Sequence, residues 1–418
     1  MAWTFWENSG SSMLQRPRIL VFVSYFLPGF KAGGPPRTIA NLVAALGRDF
    51  EFSIITRDRD LGDREPYDGL EPDRWVPWGE ARVIYLSPAN QTFSAIARLL
   101  REAPHDVLYL NSLFDLRFTT LPLFARRLGR APRASVVIAP RGECAPAALA
   151  LKRRRKALYL KGLRALGLVS DATWMASNDR EADDVRRALP FTLNEVVVAA
   201  DLAAPLQSVA GASNAPPPRH SGDPLRVVFL SRLAPMKNLD YALRLLAHMD
   251  VPITFDIFGP SADAAYVAQC RDLAHALPTH VIARFLGEVP PEEVHAVLGR
   301  YDLMFLPTRG ENFGHVILEA LGAGTPVLIS DRTLWRSAGE GACEALSLDE
   351  PDGFVKILRR RASAGAEVQL ALRARARDLA SRYAADSSHV AANRALFLRA
   401  AEGDALRGSA RYPKKPEI

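Results

Sequence analysis

Short apolar runs recur along the chain, each followed by a turn-rich stretch and then by a segment whose apolar residues return at helical spacing. The runs Arg18 to Phe26, Phe50 to Thr56, Ala81 to Leu86, Val107 to Asn111, Ala134 to Ala139, Asp171 to Ala176 and Glu195 to Ala199 predict strands. Between them, Thr38 to Leu46, Phe93 to Arg101, Thr119 to Leu128 and Asn178 to Ala188 predict helices. Continuous rather than alternating apolar strands, joined by helices, predict a parallel sheet covered on both faces. Residues 57–78 break the rhythm: they form a long charged loop carrying Trp75 and Trp78.

From Ala203 to Asp223 the chain turns to Pro, Ser, Ala, Gly and Asn, which predicts an extended linker. The strand-helix pattern then restarts with Leu225 to Ser231, Thr254 to Phe258, Val281 to Leu286, Leu303 to Leu306 and Val327 to Ser330. Basic helices follow at Phe354 to Arg361 and Val368 to Tyr383, and a final one at His389 to Ala400. The expected architecture is α/β with two domains: a tail 1–15, a first domain 16–202, a linker 203–223, a second domain 224–385, and a last helix and tail 386–418.

Composition adds little: 48% apolar and 24% charged residues are ordinary for a globular chain. No apolar run is long enough to span a bilayer, and Met1 to Gln15 has no signal-peptide pattern, although Trp3, Phe5 and Trp6 could touch a surface. Cys144, Cys270 and Cys343 are scattered, which argues against a disulfide framework or zinc site and fits a reducing cytoplasm. The formal charge of +7 favours an anionic partner. Part of it is concentrated in Lys152 to Lys161, where Arg153, Arg154, Arg155 and Lys156 interleave with leucines. Such a helix is either a contact for an anionic membrane surface or a solvated face. No stacking platform accompanies it, so nucleic acid is the weaker partner.

The organising stretch is Pro307 to Asp331. A strand, a loop Gly310-Glu311-Asn312-Phe313-Gly314 and a short helix carrying Glu319 would aim free backbone N–H groups and a positive dipole end at an anion. Glu311 and Glu319 could accept hydroxyl protons at two places along one extended ligand. Upstream, Arg232 and Lys237 flank a strand-to-helix turn in the pattern Arg-x4-Lys and could clamp two phosphates. Gly33 and Gly34 close the first loop, but Pro35-Pro36 spoils a dinucleotide fingerprint and argues against a nicotinamide dehydrogenase. Asp58-Arg59-Asp60 matches a metal-holding Asp-x-Asp only superficially, since Arg57, Arg59 and Arg64 would neutralise it. Asn111 ends one strand, and Arg141 follows another at the sheet edge where such folds bind ligands.

Taken together, these motifs and the trailing Ala323-Gly324-x-Pro326-Val327 resemble the retaining glycosyltransferases of the GT-B fold called family 4, over nearly the whole chain. They resemble more narrowly the bacterial members that build capsule, exopolysaccharide or lipopolysaccharide oligosaccharides. The resemblance implies two Rossmann-like domains facing across a cleft, with His389 to Ala400 crossing back to the first. It implies catalytic roles for Arg232 and Lys237 on the diphosphate and for Glu311 at the donor sugar. Gly33, Gly34, Gly259, Val289, Asn312, Phe313 and Gly314 would bind the donor, and Glu319 its ribose. Arg141 and Asn111 would stand on the acceptor side, with Arg141-Gly142 where many members have His-Gly. Ala199-Ala200-Asp201 also departs from the usual Asn-Gly. No cofactor or metal is implied beyond the nucleotide-sugar substrate. The acceptor would be a glycan or lipid-linked oligosaccharide, and the location cytoplasmic, possibly on the inner membrane face. A nucleotide-sugar epimerase or hydrolase, or a non-catalytic partner of a glycan-assembly complex, stays open.

Overall fold

The computed structural model describes residues 16–409 apart from 193, 205–215, 221 and 262; the expectations for the first fifteen residues and for much of the linker lie outside these. Strands β1 (Arg18–Val23), β2 (Glu51–Arg57), β3 (Trp75–Trp78), β4 (Ala81–Leu86), β5 (Val107–Asn111), β6 (Ser135–Ala139), β7 (Ala172–Ala176) and β8 (Val196–Val198) form one sheet in the order β3-β4-β2-β1-β5-β6-β7-β8. A second sheet holds β9 (Leu225–Leu230), β10 (Ile253–Phe258), β11 (Val281–Gly287), β12 (Leu303–Leu306), β13 (Val327–Ser330) and β14 (Cys343–Leu346) in the order β11-β10-β9-β12-β13-β14. Side chains alternate across a strand, so an all-apolar β1 feeds two cores. Leu20 and Phe22 enter one, and Ile19, Val21 and Val23 enter the other.

Both domains are pinned at the same place. Arg18, opening β1, forks onto Asp106 just before β5, and Arg226 in β9 forks onto Asp302 just before β12. Each Asp also accepts the backbone N–H of its Arg, so one carboxylate fixes the register of two neighbouring strands in each half.

Several expectations are corrected. The supposed loop 57–78 contains β3, an antiparallel edge strand on β4, so the first sheet is not wholly parallel. Pro77 is tolerated there because an edge strand has one unpaired side, and Trp78 packs edge-on against Phe26 at 4.9 Å. The first helix runs Gly34–Leu46, four residues earlier than predicted; Pro35 and Pro36 fit because first-turn N–H groups have no helical acceptor. The basic segment is two helices, Pro146–Ala150 and Arg153–Ala165, broken where Lys152 takes a left-handed φ of 55°. Within it Lys156 turns inward, its ammonium 4.5 Å from the Phe114 ring centre and 2.8 Å from the Ala148 carbonyl.

The last helix, Ser387–Ser409, returns to the first domain as expected. Phe397 is 0% exposed and sits between Phe50 and Tyr109, with ring centres 6.0 and 5.1 Å away. Asn393 donates to the Ala200 carbonyl at 2.8 Å, and Arg394 pairs with Asp49. Removing the ring leaves a cavity in the first domain's core, so Phe397→Ala should lower the stability of that domain by about 3 kcal/mol. Urea denaturation measures this, and a loss below about 1 kcal/mol would show that the helix is only laid on the surface.

Candidate active site

The carboxyl edges of both sheets face one cavity of about 1070 Å³ between the domains. On the second-domain side, the turn after β9 and the loop after β12 are tied to each other. Asn238 donates to the Pro307 carbonyl and accepts from Arg309, each at 2.9 Å, while Thr308 donates to the Met236 carbonyl at 3.0 Å. This brings Lys237 against Glu311 as a mostly buried ion pair. Gly259 lies under the same turn, and a side chain there would meet the Ser231 carbonyl at 1.9 Å, so only glycine permits the approach. Val289 lines the cavity beyond it.

Phe313 borders the cavity, and its packing anchors the loop. It is 2% exposed, its ring centre is 6.1 Å from Trp335 and 5.7 Å from Tyr383, and the Trp335 indole N–H donates to its carbonyl at 2.7 Å. Gly314 then caps the helix His315–Gly322 with a left-handed φ of 80°. Glu319 projects from this helix into the cavity, and its Oε2 is buried with no hydrogen-bond partner among the described residues.

On the first-domain side, Asp60 accepts the backbone N–H groups of Phe30 and Lys31 at 2.7 and 3.0 Å and so shapes the first loop. Its neighbour Asp58 is bound by Arg59, whereas Arg57, expected to neutralise this acidic pair, reaches Asp115 instead. The first loop presents Gly33 to Arg232, whose Nε stands 3.3 Å from the place of a Cβ, and Gly34 to the His315 ring. Arg141 reaches the cavity wall, but its guanidinium is taken by Asp201, the Asn111 side-chain Oδ1 and the Tyr109 hydroxyl. It is thus a wall residue braced by its own domain. The Asn111 amide Nδ2 is buried and lacks a partner among the described residues.

Four cross-cleft partners escaped the sequence reading. Arg37 pairs with Glu319, Thr38 bonds to His315 at 2.9 Å, Ser177 Oγ lies 2.9 Å from Asn312 Oδ1, and Asn178 donates to the Asn312 carbonyl at 3.2 Å. Arg37 gave no signal, because the predicted helix began at Thr38 and its place in the first turn of Gly34–Leu46, against the helix dipole, emerged only with the structure. Thr38 donates its one proton to Asp201 at 3.2 Å, so His315 must donate through Nε2–H.

Burial, then the neighbouring Arg37 charge, hold the His315 pKa down to about 3, and the ring is neutral. The folded pKa lies below the unfolded value near 6.5, so stability from the neutral ring is complete above pH 6.5 and is lost progressively on acidification towards 3. Acidifying from pH 7 to 5 should therefore cost wild type about 2 kcal/mol more than His315→Gln. Denaturation midpoints at several pH values measure the difference, and parallel pH curves for the two proteins would show that His315 does not titrate in this way.

A family model described as "Glycosyl transferases group 1" matches residues 213–338. A D-inositol 3-phosphate glycosyltransferase of Corynebacterium efficiens is 36% identical over 119 residues, covering 26% of this chain and 28% of that one. The alignment thus spans less than a third of that relative. Sucrose-phosphate synthase from Thermosynechococcus elongatus superposes with a TM-score of 0.68 at 15% identity, over 92% of this chain and 99% of that one. Anabaena HepE, solved with UDP-glucose, gives 0.63 at 16% identity over 91% and 99%. WaaG, described as a glycosyltransferase involved in lipopolysaccharide biosynthesis, gives 0.61 at 15% over 90% and 98%. The chain therefore has a two-domain GT-B fold, and residues 213–338 match the group 1 glycosyl transferase model.

Proposed function

We propose that this protein is a retaining glycosyltransferase that moves a sugar from a nucleotide-diphosphate sugar to a glycan or lipid-linked acceptor in bacterial surface-polysaccharide assembly. The observation that carries the reading is the contact between Lys237 and Glu311. It sets a phosphate-binding cation beside a hydroxyl-binding acid, the spacing that a diphosphate ester of a sugar demands. Arg232, across from Gly33, supplies the second cation, and Glu319 further along the helix is placed for the ribose. The acceptor belongs against Asn111 and the braced Arg141, which line the first-domain side of the cavity.

In the mechanism we infer, the acceptor oxygen bonds to the anomeric carbon on the face from which the diphosphate departs. The C1–O bond breaks with its electron pair going to the diphosphate, and the acceptor's proton passes to a phosphate oxygen. Arg232 and Lys237 stabilise the charge that grows on the diphosphate, so the reading requires no metal held by the protein. Arg232→Ala should lower turnover by about 2–4 kcal/mol of barrier. Proton NMR of the product should show the donor's anomeric configuration kept. An inverted product, or donor consumption that is indifferent to acceptor, would replace this reading with another chemistry.

We also place the acceptor at an anionic membrane. Leu151 and Leu158 are 59 and 72% exposed in the same segment as exposed Arg153, Arg154 and Arg155. Pro146 and Ala148, from the same segment, line the cavity. Apolar insertion with basic flanks suits a surface-bound protein. No helix among the described residues is long and apolar enough to cross a membrane. Flotation with phosphatidylglycerol vesicles should weaken roughly fivefold for each of the three arginines replaced by Gln, at about 1 kcal/mol per charge. Equal binding to neutral and anionic vesicles would remove the membrane from the account.

A further inference from the structure

The ion pair between Arg37 and Glu319 joins the two domains across the cavity floor. Arg37 lies in the first turn of the helix Gly34–Leu46, where the helix dipole repels a cation, and no acidic residue of that turn offsets it. Glu319 is the partner that holds it there. Burial also lowers the Arg37 pKa, since the guanidinium has given up water. That carboxylate is half used, since Oε1 takes Arg37 while the buried Oε2 has no partner among the described residues. In the adjacent turn, the contact between Thr38 and His315 keeps the two helix starts together, so the Arg37 side chain has Glu319 within reach whenever the cavity is empty.

We propose that Arg37 is a positioning residue that competes with the ligand's ribose for Glu319 and so keeps the nucleoside diphosphate product dissociable. The inference rests on the donor-site reading above. When ribose hydroxyls donate to Glu319, the Arg37 contact is given up. When the sugar has been transferred, Arg37 returns to Glu319 and displaces the ribose of the spent nucleotide. The net gain from the ribose is the difference between two contacts with one acid, smaller than either alone. A bare diphosphate, which has nothing to offer Glu319, is not subject to this competition.

The test is isothermal titration of wild type, Arg37→Gln and Arg37→Met with UDP, GDP and ADP, and with inorganic pyrophosphate. The methionine variant keeps the aliphatic stem, so the packing is preserved if the glutamine variant does not fold. Far-UV circular dichroism checks both. In the variants, the Kd of whichever nucleoside diphosphate binds wild type should fall about tenfold, with a slower dissociation rate, while the pyrophosphate Kd stays the same. Nucleotide binding that is equal or weaker in the variants overturns the competition, because Arg37 is then inert or is itself a phosphate ligand. If neither wild type nor the variants bind any nucleoside diphosphate, the donor-site reading fails and takes the competition with it.

Discussion

A cleft built to hold the hydroxyls and phosphates of one ligand must keep acids and cations close together, out of bulk water, while that ligand is absent. Burying a lone charge is costly, so each group needs a temporary partner. Here the chain supplies its own: Lys237 holds Glu311 within the second domain, and Arg37 holds Glu319 from the first. The second pairing has an architectural consequence. An acid whose partner belongs to the other domain couples occupancy of the site to the relation between the domains, and the bonds from Thr38 to His315 and from Asn178 to Asn312 run in the same direction.

The fold makes such a site by repetition. In each half an arginine at the start of the central strand forks onto an aspartate ahead of a neighbouring strand, which sets the register of both. Correct register brings the strand ends level, and level strand ends put the loops carrying Gly33, Arg232 and Glu311 around one space. The last helix closes the design by burying Phe397 in the first domain's core, so the second domain is tied to the first at both ends of its own chain.

What could be read in the sequence was local. The loop from Gly310 to Gly314, the Arg232-x4-Lys237 turn and Glu319 are short motifs attached to apolar runs, and strand-turn-helix grammar fixes where they point. All of them line the cavity. The partner of Glu319 was not legible, because Arg37 is 282 positions away and only the packing of two domains brings it near. Arg141 was placed at a sheet edge on the acceptor side, but nothing nearby in sequence announced that Asp201 and Tyr109 would occupy its guanidinium. Strand β3 was hidden by Pro77 and by the charges before it, which mimic a loop until an edge position makes them tolerable. The break at Lys152 has no glycine or proline to betray it.

The central claim is that Lys237 and Glu311 mark the place of a diphosphate joined to a sugar. Its most direct test is the melting temperature of wild type and of Lys237→Ala, with and without UDP, GDP, ADP and their common sugar esters. Ligands that bind only the folded state raise the midpoint according to affinity and concentration. The account predicts that one nucleotide series stabilises wild type and that the shift shrinks in Lys237→Ala. A shift of equal size in both proteins, or none with any nucleotide, would contradict it.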